Sequence, residues 1–113
     1  MQKTTLQQAL RIASVEDIPL GEGRCVTVRG ERIALFRLEN GECLAVAHRC
    51  PHREGPLADG IVAGETVTCP LHNWKVHLRT GEVLGEDRWV KTYPVRVEAG
   101  SVYLLVEGRP ETP

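Results

Sequence analysis

Two short segments of this 113-residue chain each carry one cysteine and one histidine. The first is Cys50-Pro-His52 and the second is Cys69-Pro-Leu-His72. In both segments a proline follows the cysteine directly and stiffens the backbone. Two thiolates and two imidazoles are the number and kind of ligands that close a metal site. A fold that uses all four must bring both segments to one place, so these segments constrain the chain more than any other feature.

The rest of the sequence is typical of short strands joined by tight turns. Glycine is abundant, with eleven residues, while aromatic residues are few: two Trp, two Tyr and one Phe. Asn40-Gly41 separates the apolar runs 32–39 and 42–47, and this dipeptide is a strong hairpin signal because both residues tolerate positive φ. A further strand and further hairpins are predicted over 24–29, 61–68, 74–84 and 90–106. The pattern predicts an all-β, antiparallel sandwich or barrel.

Length and charge narrow the possible functions. The chain is predicted to form a single domain, 1–113, with a frayed tail at 108–113 and one candidate helical stretch at 4–12. Fourteen basic side chains against fifteen acidic ones argue against a nucleic-acid-binding surface. No apolar run approaches the ~20 residues that cross a bilayer, and the N-terminus has no secretory pattern. We therefore expect a cytoplasmic protein that binds neither nucleic acid nor membrane.

The cysteines favour metal binding over disulfides, because cytoplasmic thiols stay reduced. Two inorganic sites fit two cysteines and two histidines. One is a tetrahedral zinc, and the other is a two-iron, two-sulfide cluster with thiolates on one iron and imidazoles on the other. Zinc modules commonly take like ligands from one local segment. Here each segment supplies one of each kind, which is what a cluster with two unlike irons requires.

The pattern C-x-H followed by C-x-x-H resembles the signature of the Rieske [2Fe–2S] family. The resemblance covers roughly residues 25 to 106, since the predicted strands around the segments also fit. It implies a Rieske-type antiparallel β sandwich or barrel with two cluster-binding loops, at about 50–57 and 69–74. It further implies one-electron transfer, with no catalysis by this chain alone.

The same resemblance assigns a role to each ligand. Cys50 and Cys69 would hold the inner iron of one [2Fe–2S] cluster per chain, and His52 and His72 would hold the outer iron. Imidazole raises the reduction potential relative to a cluster held by four cysteines. High-potential members of the family add two cysteines that tie the loops together, at positions that are Gly55 and Leu71 here. The departure indicates the ferredoxin-like branch of the family.

Several segments look like the small subunit of an assimilatory NAD(P)H nitrite reductase. They are 50–60, Asn73-Trp74-Lys75 and Val90-Lys-Thr-Tyr-Pro-Val-Arg-Val97. This reading, which we favour from sequence, implies a large-subunit partner that carries flavin and sirohaem. The alternative is the Rieske ferredoxin component of a multicomponent aromatic-ring oxygenase, with a ferredoxin reductase and an oxygenase as partners. Those ferredoxins often have a proline in the stretch equivalent to 83–89, and this chain has none. A structural zinc-binding interaction module is the distant alternative.

Other residues with reactive side chains have simpler interpretations. Cys25 and Cys43 are predicted to be small core residues. His48 is predicted to be a partly exposed strand residue, with hydrogen bonding that orients the first loop as the alternative. Alternation along the strand puts His77 on the solvent side, away from the ligands. Trp74 is predicted to pack beneath the second loop.

Overall fold

Short strands joined by turns make up the protein, as the sequence pattern predicts. A computed structural model describes residues 7–48, 56–70 and 73–107. The strands in these ranges are β1 (Gln7–Ser14), β2 (Glu22–Val28), β3 (Glu31–Arg37), β4 (Cys43–Ala47), β5 (Ile61–Ala63), β6 (Thr66–Thr68), β7 (Lys75–His77), β8 (Thr92–Tyr93), β9 (Val95–Glu98) and β10 (Ser101–Glu107). Two 3₁₀ turns, Val15–Asp17 and Leu57–Asp59, accompany them. The all-β prediction is confirmed, and no helix in these ranges is long and apolar enough to cross a membrane.

The strands form three antiparallel sheets. Their orders are β1-β10-β9, β2-β3-β4-β8 and β5-β6-β7. All neighbouring strands are antiparallel, and a short turn can connect antiparallel strands. Most neighbours are therefore also consecutive in the chain. The exceptions are β1, which pairs with β10, and β8, which pairs with β4. The first of these pairings joins the two ends of the described chain, and the second joins the middle of the chain to its C-terminal part.

The predicted turn at Asn40-Gly41 connects β3 and β4. Gly41 has a φ of +91°, and the Asn40 side chain accepts a hydrogen bond from the Glu42 amide at 2.9 Å. The two strands pair from Arg37↔Cys43 to Ile33↔Ala47. The local turn chemistry therefore set this register, as the sequence indicated.

The helical candidate at 4–12 is wrong, because the described part of it is a strand. β1 pairs with β10 from Gln7↔Glu107 to Ser14↔Ser101. The register shifts between Arg11 and Ala13, and such an irregularity interrupts the two-residue alternation that marks a strand. Its partner lies at the opposite end of the chain, so the local sequence carried little sign of the pairing.

The predicted strand over residues 90–97 is divided between two sheets. Thr92–Tyr93 pairs with β4, while Val95–Glu98 pairs with β10 around a turn at Ala99-Gly100. Pro94 stands at the division and has no amide to donate to a ladder. Its carbonyl instead accepts a hydrogen bond from the Leu105 amide at 2.9 Å. This crossing ties the terminal sheet to the central one.

The central strand β3 is buried on both faces. Ala34 and Phe36 point into one apolar cluster, and Ile33 and Leu35 point into another. Side chains alternate along a strand, so consecutive residues must serve opposite faces. The first cluster, which we call the loop-side core, also contains residues of the 3₁₀ turn Leu57–Asp59 and of strands β6 and β7. It is the cluster that positions the candidate site.

The two cysteines outside the predicted loops differ in burial. Cys43 is 5% exposed and lies in the second apolar cluster, as predicted. Burial raises the pKa of its thiol above the usual value. Cys25 is exposed, so the prediction that it is a core residue is wrong. It lies on β2, the outermost strand of its sheet, where the apolar neighbours Val26 and Val28 are only partly buried.

Arg79 links two turns of different sheets. Its guanidinium donates to both carboxylate oxygens of Glu42, at 2.9 and 2.8 Å, and to Glu65 at 2.7 and 3.2 Å. Glu42 follows the β3–β4 turn and Glu65 lies in the β5–β6 turn. The hydrogen bonds from Arg79 hold the pKa of each carboxyl below its usual value, and the two carboxylates raise the pKa of Arg79.

Substitution of Gly81 by alanine should destabilise the protein more than the same substitution of Gly30, which has a similar backbone conformation. Gly81 and Gly30 have φ of +84° and +81°, yet only at Gly81 would a Cβ meet the Val90 carbonyl oxygen, at 2.2 Å. Gly30→Ala should cost about 1 kcal/mol of unfolding free energy for the left-handed conformation. Gly81→Ala should cost about 1–3 kcal/mol more, because backbone must move. Urea unfolding followed by circular dichroism measures both, and equal midpoints would contradict the close approach.

The Arg79 bridge should stabilise the protein at neutral pH and lose its effect in acid. A carboxyl with a lowered pKa in the folded state contributes stability above its unfolded-state pKa, and loses it as pH falls through the folded-state value. We therefore expect Arg79→Gln to lower the urea midpoint at pH 7, and the deficit to disappear as pH drops below the usual carboxyl value of 4.5. Arg96→Gln, which breaks only a 3.7 Å pair with Glu98 inside one strand, is the control. A deficit that persists in strong acid would argue against the bridge.

Candidate metal centre

Of the four predicted ligands, Cys69 lies within the described residues. Cys50, His52 and His72 lie outside them, as do Gly55 and Leu71. The described residues nevertheless include the end of the first predicted loop, both ends of the second, and His48, which lies two positions before the first loop. The geometry of the site is therefore built from Cys69 and from the backbone that enters and leaves the two loops.

Cys69 lies directly after β6 and has no exposed surface. Its side chain belongs to the loop-side core, so the sulfur is held among apolar groups. The Cys69 amide donates to the Trp74 carbonyl at 2.7 Å, which closes the second loop at its base. Asn73 has a φ of +58°, a conformation that asparagine adopts more readily than most residues. The second loop thus has a buried thiol at its start and a backbone hydrogen bond across its base.

His48 lies immediately after β4 and two positions before the first predicted loop. The His48 amide donates to the Arg32 carbonyl at 3.0 Å, which extends the contact with β3. Its imidazole is buried, with 7% exposure, and Nδ1 accepts a hydrogen bond from the Ala58 amide at 3.2 Å. Burial, and then the nearby charge of Arg32, lowers the pKa of His48, although Asp59 opposes this. The predicted partly exposed position for His48 is therefore wrong, and the hydrogen bond that the alternative requires is present.

The first loop ends in the 3₁₀ turn Leu57–Asp59. Leu57 is fully buried, and the Gly60 amide donates to its carbonyl at 2.9 Å. A Cβ on Gly60 would lie 2.4 Å from the Thr68 carbonyl oxygen, so only glycine permits this approach. Since Thr68 directly precedes Cys69, the end of the first loop touches the start of the second. The pairing Ile61↔Thr68 continues this contact into the sheet.

This arrangement fits a metal centre built from both loops. The loop bases are adjacent, and a buried cysteine stands where they meet. Burial of a thiolate in apolar surroundings is costly, and coordination to iron or zinc offsets that cost. In the described ranges, no three side chains of His, Cys, Asp or Glu gather into another metal site. The donor set by itself suits a [2Fe–2S] cluster or zinc, so comparison with other proteins has to separate the two.

Trp74 packs against the loop-side core beside the second loop, in agreement with its predicted position. The guanidinium carbon of Arg88 lies 5.7 Å from the centre of the Trp74 ring, within cation–π distance. No pattern in the sequence indicated this contact, because Arg88 comes from the loop that follows β7. The cation lies on the same side of the molecule as the second loop's base.

His77 has a different role from the predicted ligands. Its Nδ1 accepts a hydrogen bond from the Arg79 amide at 3.3 Å, and its Nε2 lies 3.6 Å from Glu65. The side chain is 32% exposed and belongs to the last residue of β7. His77 therefore stabilises the turn that follows β7.

The comparisons with known proteins identify the family. The model of the Rieske-like [2Fe–2S] domain matches residues 8–105. The ferredoxin component of the naphthalene 1,2-dioxygenase/salicylate 5-hydroxylase systems of Ralstonia sp. is 36% identical over 103 residues, which are 89% of this chain and 98% of that protein. The ferredoxin subunit of 3-phenylpropionate/cinnamic acid dioxygenase of Photorhabdus laumondii is 40% identical over 101 residues, 86% of this chain and 93% of that protein.

Solved structures agree with the fold. A protein hypothesised to be the small subunit of an NADPH nitrite reductase superposes with a TM-score of 0.80 at 27% identity, over 88% of this chain and 99% of that one. The match to the family model implies a [2Fe–2S] cluster and not the zinc alternative. The chain belongs to the Rieske-like [2Fe–2S] domain family and is a ferredoxin-type electron-transfer protein.

Proposed function

We propose that this chain carries single electrons to the oxygenase of a multicomponent dioxygenase system. The observation that carries the proposal is the similarity to two dioxygenase ferredoxins, at 36% and 40% identity, over nearly the full length of each. The aligned regions cover 98% and 93% of those two carrier proteins. The electron donor would be a reductase and the acceptor an oxygenase, each a separate protein.

We propose further that Cys50 and Cys69 hold the inner iron and that His52 and His72 hold the outer iron. When bound, the cluster supplies one-electron redox chemistry, at a potential raised by its two imidazole ligands. The burial of Cys69 supports its place on the inner side. The contact between Gly60 and Thr68 supports the convergence of the two loops on one cluster.

The surface grooves of the described residues do not open onto Cys69. Two grooves of about 490 and 500 Å³ share β8; the first also runs along β4 and β9, the second along β3 and β10, and neither is lined by Cys69. A substrate held in either groove would therefore not reach the thiol of the proposed centre. An electron carrier needs no substrate pocket, because the partner protein supplies the reaction site.

The proposed partner, an oxygenase, differs from the nitrite reductase large subunit that the sequence patterns favoured. The similarity of Asn73-Trp74-Lys75 and of residues 90–97 to nitrite reductase small subunits remains, and a structure of that description superposes well at 27% identity. The dioxygenase ferredoxins are more similar in sequence. We therefore take the oxygenase carrier as the main proposal and the nitrite reductase subunit as the second candidate.

From sequence, the absence of proline in residues 83–89 counted against an oxygenase ferredoxin. The structure weakens that argument, because hydrogen bonds close this loop. The Val83 amide donates to the Arg88 carbonyl at 2.9 Å, and the Glu86 amide donates to the Val83 carbonyl at 3.1 Å. Gly85, with a φ of +82°, completes the turn. Backbone hydrogen bonds thus close this loop without the stiffness of a proline.

Replacing Cys69 should remove the cluster, whereas replacing another buried cysteine should not. Serine is a harder and less acidic ligand than cysteine, so Cys69→Ser should lose the iron, the labile sulfide and the visible absorption. Cys43→Ala is the matched control, because Cys43 is also buried but lies on β4 outside the loops. Iron and sulfide assays with a visible spectrum measure the outcome. A Cys69→Ser protein that kept two irons per chain would falsify the ligand assignment.

Reconstitution separates the two candidate partners. The purified chain is combined either with the NADH-dependent reductase and oxygenase of the same organism or with its nitrite reductase large subunit. We expect oxygenation of an aromatic substrate to require the chain, and nitrite consumption to be unchanged by its omission. The Cys69→Ser protein is the negative control, because the substitution changes no exposed side chain but should remove the cluster. Nitrite consumption that depends on the chain, without oxygenase activity, would favour the second candidate.

A further inference from the structure

Among the described residues, His48 is the one buried side chain of polar or charged character. Burying a polar group is costly unless it is hydrogen bonded, so a buried histidine calls for an explanation. Its Nδ1 accepts a hydrogen bond from the Ala58 amide nitrogen, 3.2 Å away. The ring therefore acts through an unprotonated nitrogen, and its observed partner is backbone on the far side of the first loop.

The Ala58 amide, which donates to His48, has no hydrogen-bond acceptor within its own 3₁₀ turn. The first amides of any helical turn lack an acceptor from the preceding turn. The residue before the turn is Pro56, which offers no side-chain cap to Leu57–Asp59. His48 thus replaces the missing cap from a distance of ten residues along the chain. In doing so it closes the first loop across its base, with Cys50 and His52 inside the closed segment.

Both ends of this bond are held by the sheets. His48 is attached to β3 through its amide and the Arg32 carbonyl, at 3.0 Å. On the other side, the Ala58 carbonyl lies close to β2, since a Cβ on Gly23 would be 2.9 Å from it. Gly60 then meets the Thr68 carbonyl just before Cys69. A continuous set of contacts therefore runs from His48 to the buried cysteine of the second loop.

We propose that His48 is a positioning residue for the cluster, whose imidazole holds the two ends of the first loop at a fixed separation. The proposal rests on the ligand set proposed above. His48 does not touch the iron in this role. It limits the positions that Cys50 and His52 can take relative to Cys69, and it requires no change in its own protonation.

The test compares substitutions that keep or remove the acceptor atom. His48→Leu fills a similar volume without an acceptor. In His48→Asn, the side-chain oxygen can stand where Nδ1 stands. His77 provides the matched control, because its Nδ1 also accepts a backbone amide, from Arg79, but in a turn of β7. His77→Leu and His77→Asn are therefore made alongside. Each iron-loaded protein is assayed for iron release to a chelator and for the electron paramagnetic resonance spectrum of the reduced cluster.

We expect His48→Leu to release iron on the order of tenfold faster, since the buried Ala58 amide loses the acceptor that the His48 imidazole provides. Its resonance positions should also shift, which a loss of global stability alone would not cause. His48→Asn should restore the spectrum and bring the release rate to within about threefold of the wild type. Both His77 variants should keep the wild-type spectrum and rate.

Three results would overturn the proposal. One is a His48→Leu protein with the wild-type spectrum and release rate, whatever its melting temperature. Another is an equal change in His77→Leu, which would indicate general destabilisation. The third is a wild-type protein without iron and sulfide, which refutes the proposed ligand set itself and so is distinguishable from the first two. If His48→Leu does not fold, His48→Gln replaces it. The side-chain oxygen of glutamine lies one bond farther from the backbone than the histidine Nδ1, so it should not reach the same position and the rate of iron release should rise.

Discussion

Burial of β3 on both faces is the constraint on which the remaining structure depends. Ala34 and Phe36 form one cluster with residues of β6, β7 and the first loop's 3₁₀ turn, while Ile33 and Leu35 form the other with residues of β10. One strand therefore attaches the loop-bearing sheet on one side and the terminal sheet on the other. A polar residue at any of these positions would leave one sheet without its apolar partner, at a cost of several kcal/mol for a large side chain.

Backbone contacts, rather than long side chains, join the described bases of the two loops. Gly60 lies against the Thr68 carbonyl, and the Cys69 amide is bonded to the Trp74 carbonyl. Backbone contacts of this kind have little conformational freedom to lose, whereas long side chains lose rotamer entropy when they are ordered. Rigidity of this sort suits electron transfer, since a site that changes little between redox states needs little reorganisation. The family's one-electron chemistry and the described loop bases are in that sense well matched.

Prediction from sequence succeeded where the signal was local. The Asn40-Gly41 turn, the burial of Cys43 and the outward position of His77 follow from turn chemistry and alternation within a few residues. It failed where the partner was distant. β1 was mistaken for a helix because a register shift disturbs its alternation, and Cys25 is exposed because its strand lies at a sheet edge. Edge and centre positions depend on strand order, which alternation alone does not reveal.

The sequence by itself determined the strand-and-turn pattern and the kinds of ligand available, because both are properties of neighbouring residues. The tertiary structure decided the rest. It assigned Thr92–Tyr93 to one sheet and Val95–Glu98 to another, and it buried His48 against Ala58. It also brought the end of the first loop against the strand that precedes Cys69. These outcomes depend on which surfaces meet when the sheets pack, and packing joins residues whose separation along the chain leaves no periodic trace.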